Sequence, residues 1–290
     1  MSAPTTTGPS PISGLFSKVY RDILADRATL PSMPDVALRI RAAMQQPHCS
    51  AASVAKALSV DSGAAAYLIR IANSALYSAV VPIQDIEKAV SRLGMDTTRN
   101  LVTAYALRAM FQTRSSALAD LMRETWHESA RVAALASVIA GRCQGISTDR
   151  AMLAGLFQNI GVLPLVNALE GRSGAAPDAQ QVQRTIETFS PKVGAVLLTH
   201  WKFDDEIVEV ARSRGDWWRN PSPTPDLADL VLVARLHNYV GTEAMQHLPL
   251  INETPAFLKL PLGEMNPDAS LEFLREAESE VQEVMRLLGI

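Results

Sequence analysis

Apolar residues in this chain recur every three to four positions, and few runs alternate with the period of two that a half-buried strand requires. No Asn-Gly or Asp-Gly step brackets a pair of strand-like runs, so the pattern predicts an all-α protein. Ser32-Met33-Pro34 starts a helix with Val36, Leu38, Ile40 and Met44 on its apolar side, and Pro47 follows its end. Ser50, Asp61 and Asp85 read as N-caps of the next three helices, and Gly94 as the residue that stops the last of these. Asp96 or Thr97 then opens a longer helix through Leu101, Tyr105, Leu107 and Phe111.

A second block begins near Ser115 with a long Ala-rich helix ending around Gly141-Arg142. Helices are predicted near 149–158, 178–189, 191–201, 204–213 and 226–240. Gly171 to Asp178 is small and polar and reads as a mobile loop, and Pro221 to Pro225 as a stiff connector. An amphipathic helix over 270–288, with Leu271, Leu274, Val281, Met285 and Leu288 on one side, closes the chain. The expected organisation is a tail over 1–13, helical blocks over 14–112 and 113–243, and a C-terminal extension over 244–290.

Composition removes several function classes. With 48% hydrophobic and 20% charged residues, the 290-residue chain is too apolar to be disordered and long enough for a sizeable core. A net charge of −3 supplies no global basic field, so neither nucleic acid nor an anionic membrane surface is expected as a partner. Cys49 and Cys143 stand alone, without metal-site spacing, and read as reduced, buried thiols of a reducing compartment. Met1 to Ser13 is rich in Ser, Thr and Pro and reads as a disordered tail rather than a signal peptide. No uninterrupted apolar run approaches the roughly 18 residues of a membrane span, and a cytoplasmic location is the expectation. No P-loop, G-x-G-x-x-G or G-x-S-x-G motif occurs.

Three segments of the first block carry a resemblance. They are Leu30-Pro31-Ser32-Met33-Pro34-Asp35-Val36-Ala37, Arg70 to Tyr77 (RIANSALY) and Ile86 to Gly94 (IEKAVSRLG). In this order and spacing they resemble the HDOD family, a bacterial signalling module related to the HD phosphohydrolases but lacking their metal ligands. Trp126-His127, the turn Leu153 to Gly161 (LAGLFQNIG), and Val193-Gly194-Ala195 with Trp201 extend the likeness to roughly residues 20–240. The turn is similar to the HD metal-binding turn, in which a His-Asp doublet fills the positions held here by Gln158 and Asn159. A neutral imidazole and a carboxylate can hold a divalent metal, whereas two amides are weak ligands.

Carried over position by position, the resemblance keeps His127 as the first ligand and places Ser190, Arg214 and Arg235 at the remaining positions. One imidazole cannot hold a catalytic metal, since such sites use about three protein ligands. His127 therefore reads as a buried histidine that bridges helices. His127-Glu128 begins an H-E-x-x-H motif, but its second His position is Arg131. If Arg214 and Arg235 both point into the former metal cavity they could hold a phosphate or carboxylate. The plainer reading pairs them with acids such as Asp149 or Glu209. Asn73 and Ser74 read as the end of their helix, with Asn73 tolerating left-handed geometry, and Trp217-Trp218 as packing or a partner contact rather than a base-stacking platform.

The expected architecture is a two-lobed, all-α molecule: an N-terminal helical bundle packed on a degenerate HD-like bundle. The resemblance implies a non-catalytic regulator that acts on other signalling proteins, with no cofactor and no metal. Two other classes stand beside it. One is a metal-dependent phosphohydrolase or nucleotide phosphodiesterase with an unconventional site around His127, Gln158, Asn159 and Arg214. The other is a binding module that senses a nucleotide or small anion.

Overall fold

The computed structural model describes residues 11–25, 30–77, 81–113, 115–170, 179–261, 272–273 and 275–290, and among these every regular element is a helix. Local chemistry sets most of the helix starts in the first block. After α1 (Pro11–Leu24) and α2 (Asp35–Met44), the Ser50 hydroxyl accepts from the Ser53 N–H and the Ser53 hydroxyl from the Ser50 N–H, a reciprocal capping box that opens α3 (Ala51–Leu58). Asp61 caps α4 (Ser62–Ala72) through the Ala64 N–H at 2.9 Å, and Asp85 caps α5 (Ile86–Leu93) through the Lys88 N–H at 2.9 Å. All three caps are those expected. Helix α2 buries Val36, Ala37 and Ile40, whereas Leu38 is 46% exposed; two residues from Val36, it lies on the opposite side of the helix.

Gly94 both ends α5 and opens α6 (Met95–Met110), so Asp96 and Thr97 sit inside the first turn rather than capping it. Its φ of 82° lies in the region that favours glycine, and no atom lies within 4 Å of where a Cβ would stand. Gly94→Ala is therefore expected to cost about 1 kcal/mol through backbone strain alone. Chemical denaturation measures this, and an unchanged midpoint would contradict the positive φ. Asn73, by contrast, closes α4 at φ −99°, outside left-handed space. Its side-chain amide holds both the N–H and the carbonyl of Ile83 at 2.7 Å, pinning the chain ten residues on.

The second block is organised around α7 (Ser116–Ala140), which packs against α8 (Thr148–Phe157), α12 (Leu227–Tyr239) and the C-terminal α14 (Glu278–Leu287). Helix α9 (Val162–Glu170), which the sequence reading did not mark, follows α8 after a tight turn. Thr148–Glu170 is long and apolar enough to pass for a membrane span, but 89% of its most apolar window is buried inside the fold. Helix α10 (Ala179–His200) is continuous through Pro191, where a break between two helices was expected. Burial of Val193, Leu197 and Leu198 beyond the proline outweighs its local cost of about 3 kcal/mol.

Helices α11 (Asp205–Arg212) and α13 (Pro255–Lys259) complete the set used below. Helix α1 packs on α9 and α10, so the stretch from residue 14, expected with the first block, docks on the second. The expected tail over 1–13 overlaps α1, which starts at Pro11, and residues 1–10 lie outside the described residues. The loop expected over 171–178 and the positions Leu271 and Leu274 also lie outside them. Val281, Met285 and Leu288 are buried as expected, while Cys49 and Cys143 are free and only half-buried, not buried.

Candidate functional site

On α7 the buried residues Met122, Trp126, Ser129, Ala130 and Ala133 form one stripe, while Arg123, Glu124 and His127 are exposed. His127 is thus not the buried, helix-bridging residue that was expected. The next residue along a helix turns by about 100°, since 3.6 residues complete a turn. Glu128 and Ser129, not His127, are the α7 residues that meet the other candidate positions.

Helix α8 ends at Phe157, leaving Gln158 as its C-cap and Asn159 in the turn, both almost completely buried. Asn159 Nδ2 donates to Ser129 Oγ at 2.9 Å, and Ser129 Oγ donates to the Thr125 carbonyl at 2.7 Å. From α11's end, Arg214 Nε donates to Asn159 Oδ1 at 2.5 Å. The second residue of the doublet that would hold a metal in the HD pattern is here tied to a guanidinium. Neither Asp149 nor Glu209 takes Arg214: Asp149 accepts from Asn100 at 2.7 Å, and Glu209 pairs with Arg212 at 2.8 Å.

Arg235, on α12, lies beside this group. Its Nε is 3.5 Å from Glu128 Oε1, its Nη2 donates to Tyr239 Oη at 3.2 Å, and Tyr239 Oη donates to Glu128 at 2.9 Å. The guanidinium also stacks over Trp217, 5.1 Å from the ring centroid, so Trp217 packs against the site while Trp218 is 59% exposed. Burial first, and the charge of Arg235 second, push Arg214 down to about 10; Glu128 partly offsets this. At neutral pH Arg214 therefore remains a cation.

Gln158 and Ser190 share the buried environment differently. Neither amide atom of Gln158 nor the Ser190 hydroxyl has a hydrogen-bond partner among the described residues. Gly161 explains the density nearby: a Cβ there would lie 2.0 Å from the Ser190 carbonyl oxygen and 2.6 Å from the Gly194 nitrogen. Gly155 makes a similar close approach, where a Cβ would lie 2.5 Å from Ala133 Cα. These two glycines let α8 press against α7 and the α8–α9 turn against α10.

The structure therefore brings Asn159, Arg214 and Arg235 together, seats Gln158 and Ser190 in the interior, and leaves His127 on the surface. It adds Glu128, Ser129 and Tyr239, which the sequence reading missed. The alternation of exposed Arg123, Glu124 and His127 on α7 was the signal that could have shifted the choice by one residue. This donor set does not fit a divalent metal. Amide and hydroxyl oxygens are weak ligands, the Glu128 carboxylate is committed to Arg235 and Tyr239, and two guanidiniums would repel the ion. Among the described residues no three His, Cys, Asp or Glu side chains cluster in a metal-binding arrangement.

Comparison with known proteins agrees with the helical fold. A protein from Shewanella amazonensis SB2B, named as a candidate metal-dependent phosphohydrolase, superposes with a TM-score of 0.76 at 26% identity over 93% of this chain and 99% of its own. An HDOD domain protein of unknown function from Geobacter sulfurreducens gives 0.65 at 21% identity over 96% and 98% of the two chains. A candidate signal-transduction protein from Marinobacter aquaeolei VT8 gives 0.58 at 21% identity, covering 99% of this chain and 68% of that one. An uncharacterized protein of Treponema pallidum (strain Nichols) is 22% identical over 225 residues; the match spans 73% of this chain and only 43% of that protein. The HDOD domain matches residues 30–216, more than half of the chain. With the helical architecture and the substituted doublet at Gln158-Asn159, that match places the chain in the HDOD family.

Proposed function

We propose that this protein is a non-catalytic regulator that works through contacts of its HDOD domain with other signalling proteins in the bacterial cytoplasm. The observation that carries the reading is the Arg214–Asn159 hydrogen bond. HD-type hydrolysis requires a metal to lower the pKa of a bound water and to neutralise charge on phosphoryl oxygens. Here the Arg214 guanidinium is bonded to Asn159 of the doublet, and the Glu128 carboxylate pairs with Arg235. Asn159 with Ser129 and Arg214, and Arg235 with Glu128 and Tyr239, bind one another, and what they supply is rigidity between α7, α8, the end of α11 and α12.

The name of the Shewanella relative motivates the rival reading of a phosphohydrolase. A panel of cyclic and linear nucleotides with added manganese separates the two. The expected result is no turnover above the buffer blank. Turnover that disappears in Asn159→Ala, with the far-UV spectrum retained, would replace the regulatory reading with the enzymatic one.

A further inference from the structure

A cleft of about 410 Å³ opens between α2 and α6 on one side and α8, residues 202–204 and α11 on the other. It lies away from the site around Asn159 and shares no residue with it. Four cations line it, Arg41, Arg99, Arg150 and Lys202, against one carboxylate, Asp204. Only Arg150 is fully neutralised, at 2.7 Å from both Asp204 and Glu206. Arg99 has an exposed partner, Asp96, at 3.0 Å. Arg41 spends two donors on the neutral carbonyls of Trp201 and Lys202, at 2.6 and 2.8 Å, and lies over the Phe203 ring. Among the described residues no carboxylate pairs with Arg41 or Lys202. Burial and the facing charge of Arg99 both lower the Arg41 pKa, a sign that like charges meet across the opening.

The backbone adds an independent observation. Helix α10 ends in a Schellman turn: the Lys202 N–H donates to the Thr199 carbonyl at 2.9 Å and the Phe203 N–H to the Leu198 carbonyl at 3.0 Å. The residue in the left-handed position of such a turn is usually glycine. Here it is Lys202, at φ 58°, and among the described residues no other non-glycine residue has a positive φ. A non-glycine residue in this region is strained, and such residues cluster at ligand clamps and other functional sites. The strained residue is also a cation on the wall of the cleft.

We propose that this cleft binds a small phosphate or pyrophosphate group, free or carried on a nucleoside, held chiefly by Arg99 and Lys202 with Arg41 beneath. Guanidinium and ammonium donors suit phosphate oxygens, and an anion between α6 and residue 202 would turn repulsion into attraction. The cavity volume is within the range of small-molecule sites, and Leu153 and Ile207 give it an apolar wall suited to a flat ring. The inference goes beyond the regulatory reading and does not depend on it.

Isothermal titration of the full chain with inorganic pyrophosphate and with nucleoside diphosphates tests it. Saturable one-to-one binding is expected, weakened at least tenfold in Arg99→Ala and in Lys202→Gly. Tighter binding of the nucleotide assigns the source to nucleotides and equal affinity assigns it to inorganic phosphates; both support an anion site. Lys202→Gly is also expected to raise the melting temperature by relieving the turn, which separates loss of binding from loss of fold. Absence of saturable binding of either probe at about 1 mM, or binding unchanged in both variants, would overturn the proposal.

Discussion

Asp229→Ala is expected to destabilise the protein by about 3–5 kcal/mol, the range for removing one partner from a buried ion pair. Asp229 is fully buried at the start of α12 and accepts from Arg219 Nη1 at 2.6 Å, Lys259 Nζ at 2.6 Å and the Asp226 N–H at 3.1 Å. Both cations are themselves largely buried, with side chains 5% and 9% exposed. Arg219 keeps its two 2.8 Å bonds to Asp226 in the variant, but Lys259 loses its carboxylate inside the protein. Burial opposes the Arg219 charge, yet Asp226 and Asp229 outweigh it and raise its pKa. The cluster clamps the connector over 221–225 between α12 and α13. Urea denaturation followed by circular dichroism measures the effect, and a loss under about 1 kcal/mol, the scale of an exposed pair, would contradict it.

Gly161→Ala is expected to cost about 3 kcal/mol or more, or to leave no soluble protein. The atoms in the way are the Ser190 carbonyl oxygen and the Gly194 nitrogen, which belong to the backbone of α10 and cannot rotate aside. Overpacking of a dense core typically costs 1–3 kcal/mol, and a backbone obstacle puts this site at or above the top of that range. Thermal melting reads the outcome. A variant that melts with the native protein would show that the α8–α9 turn does not press on α10.

What the sequence revealed follows from the range of the interactions involved. The caps at Ser50, Asp61 and Asp85 were legible because donor and acceptor lie three residues apart. The all-α class was legible for the same reason, since periodicity is local. Continuity of α10 through Pro191 was not, because burial of residues on both sides decides it. The clamp around Asp229 was invisible, since Lys259 comes from thirty residues downstream and a Lys at the end of a short helix carries no signature.

The candidate site divides in the same way. Substitution at Gln158 and Asn159 could be read directly, and their burial follows from the apolar turn that contains them. The burial expected of His127 could not be read, because one residue along a helix exchanges surface for interior: His127 is exposed and Ser129, two residues on, is buried. The partners of Arg214 and Arg235 depend on how α7, α11 and α12 meet, so neighbours such as Asp149 and Glu209 were no guide.

This interior site is built around guanidinium charge where the HD pattern has a metal. Elemental analysis of untagged protein, native and Gln158→His/Asn159→Asp, tests it most directly after equilibration with manganese and zinc. In the double variant the new carboxylate stands where Arg214 already donates, so it is expected to pair with the arginine rather than take a metal. Two guanidiniums would oppose a dication by several kcal/mol even at an effective dielectric of about 20. The expected result is well below one equivalent of either metal in both proteins, whereas one equivalent bound by the native chain would contradict the account.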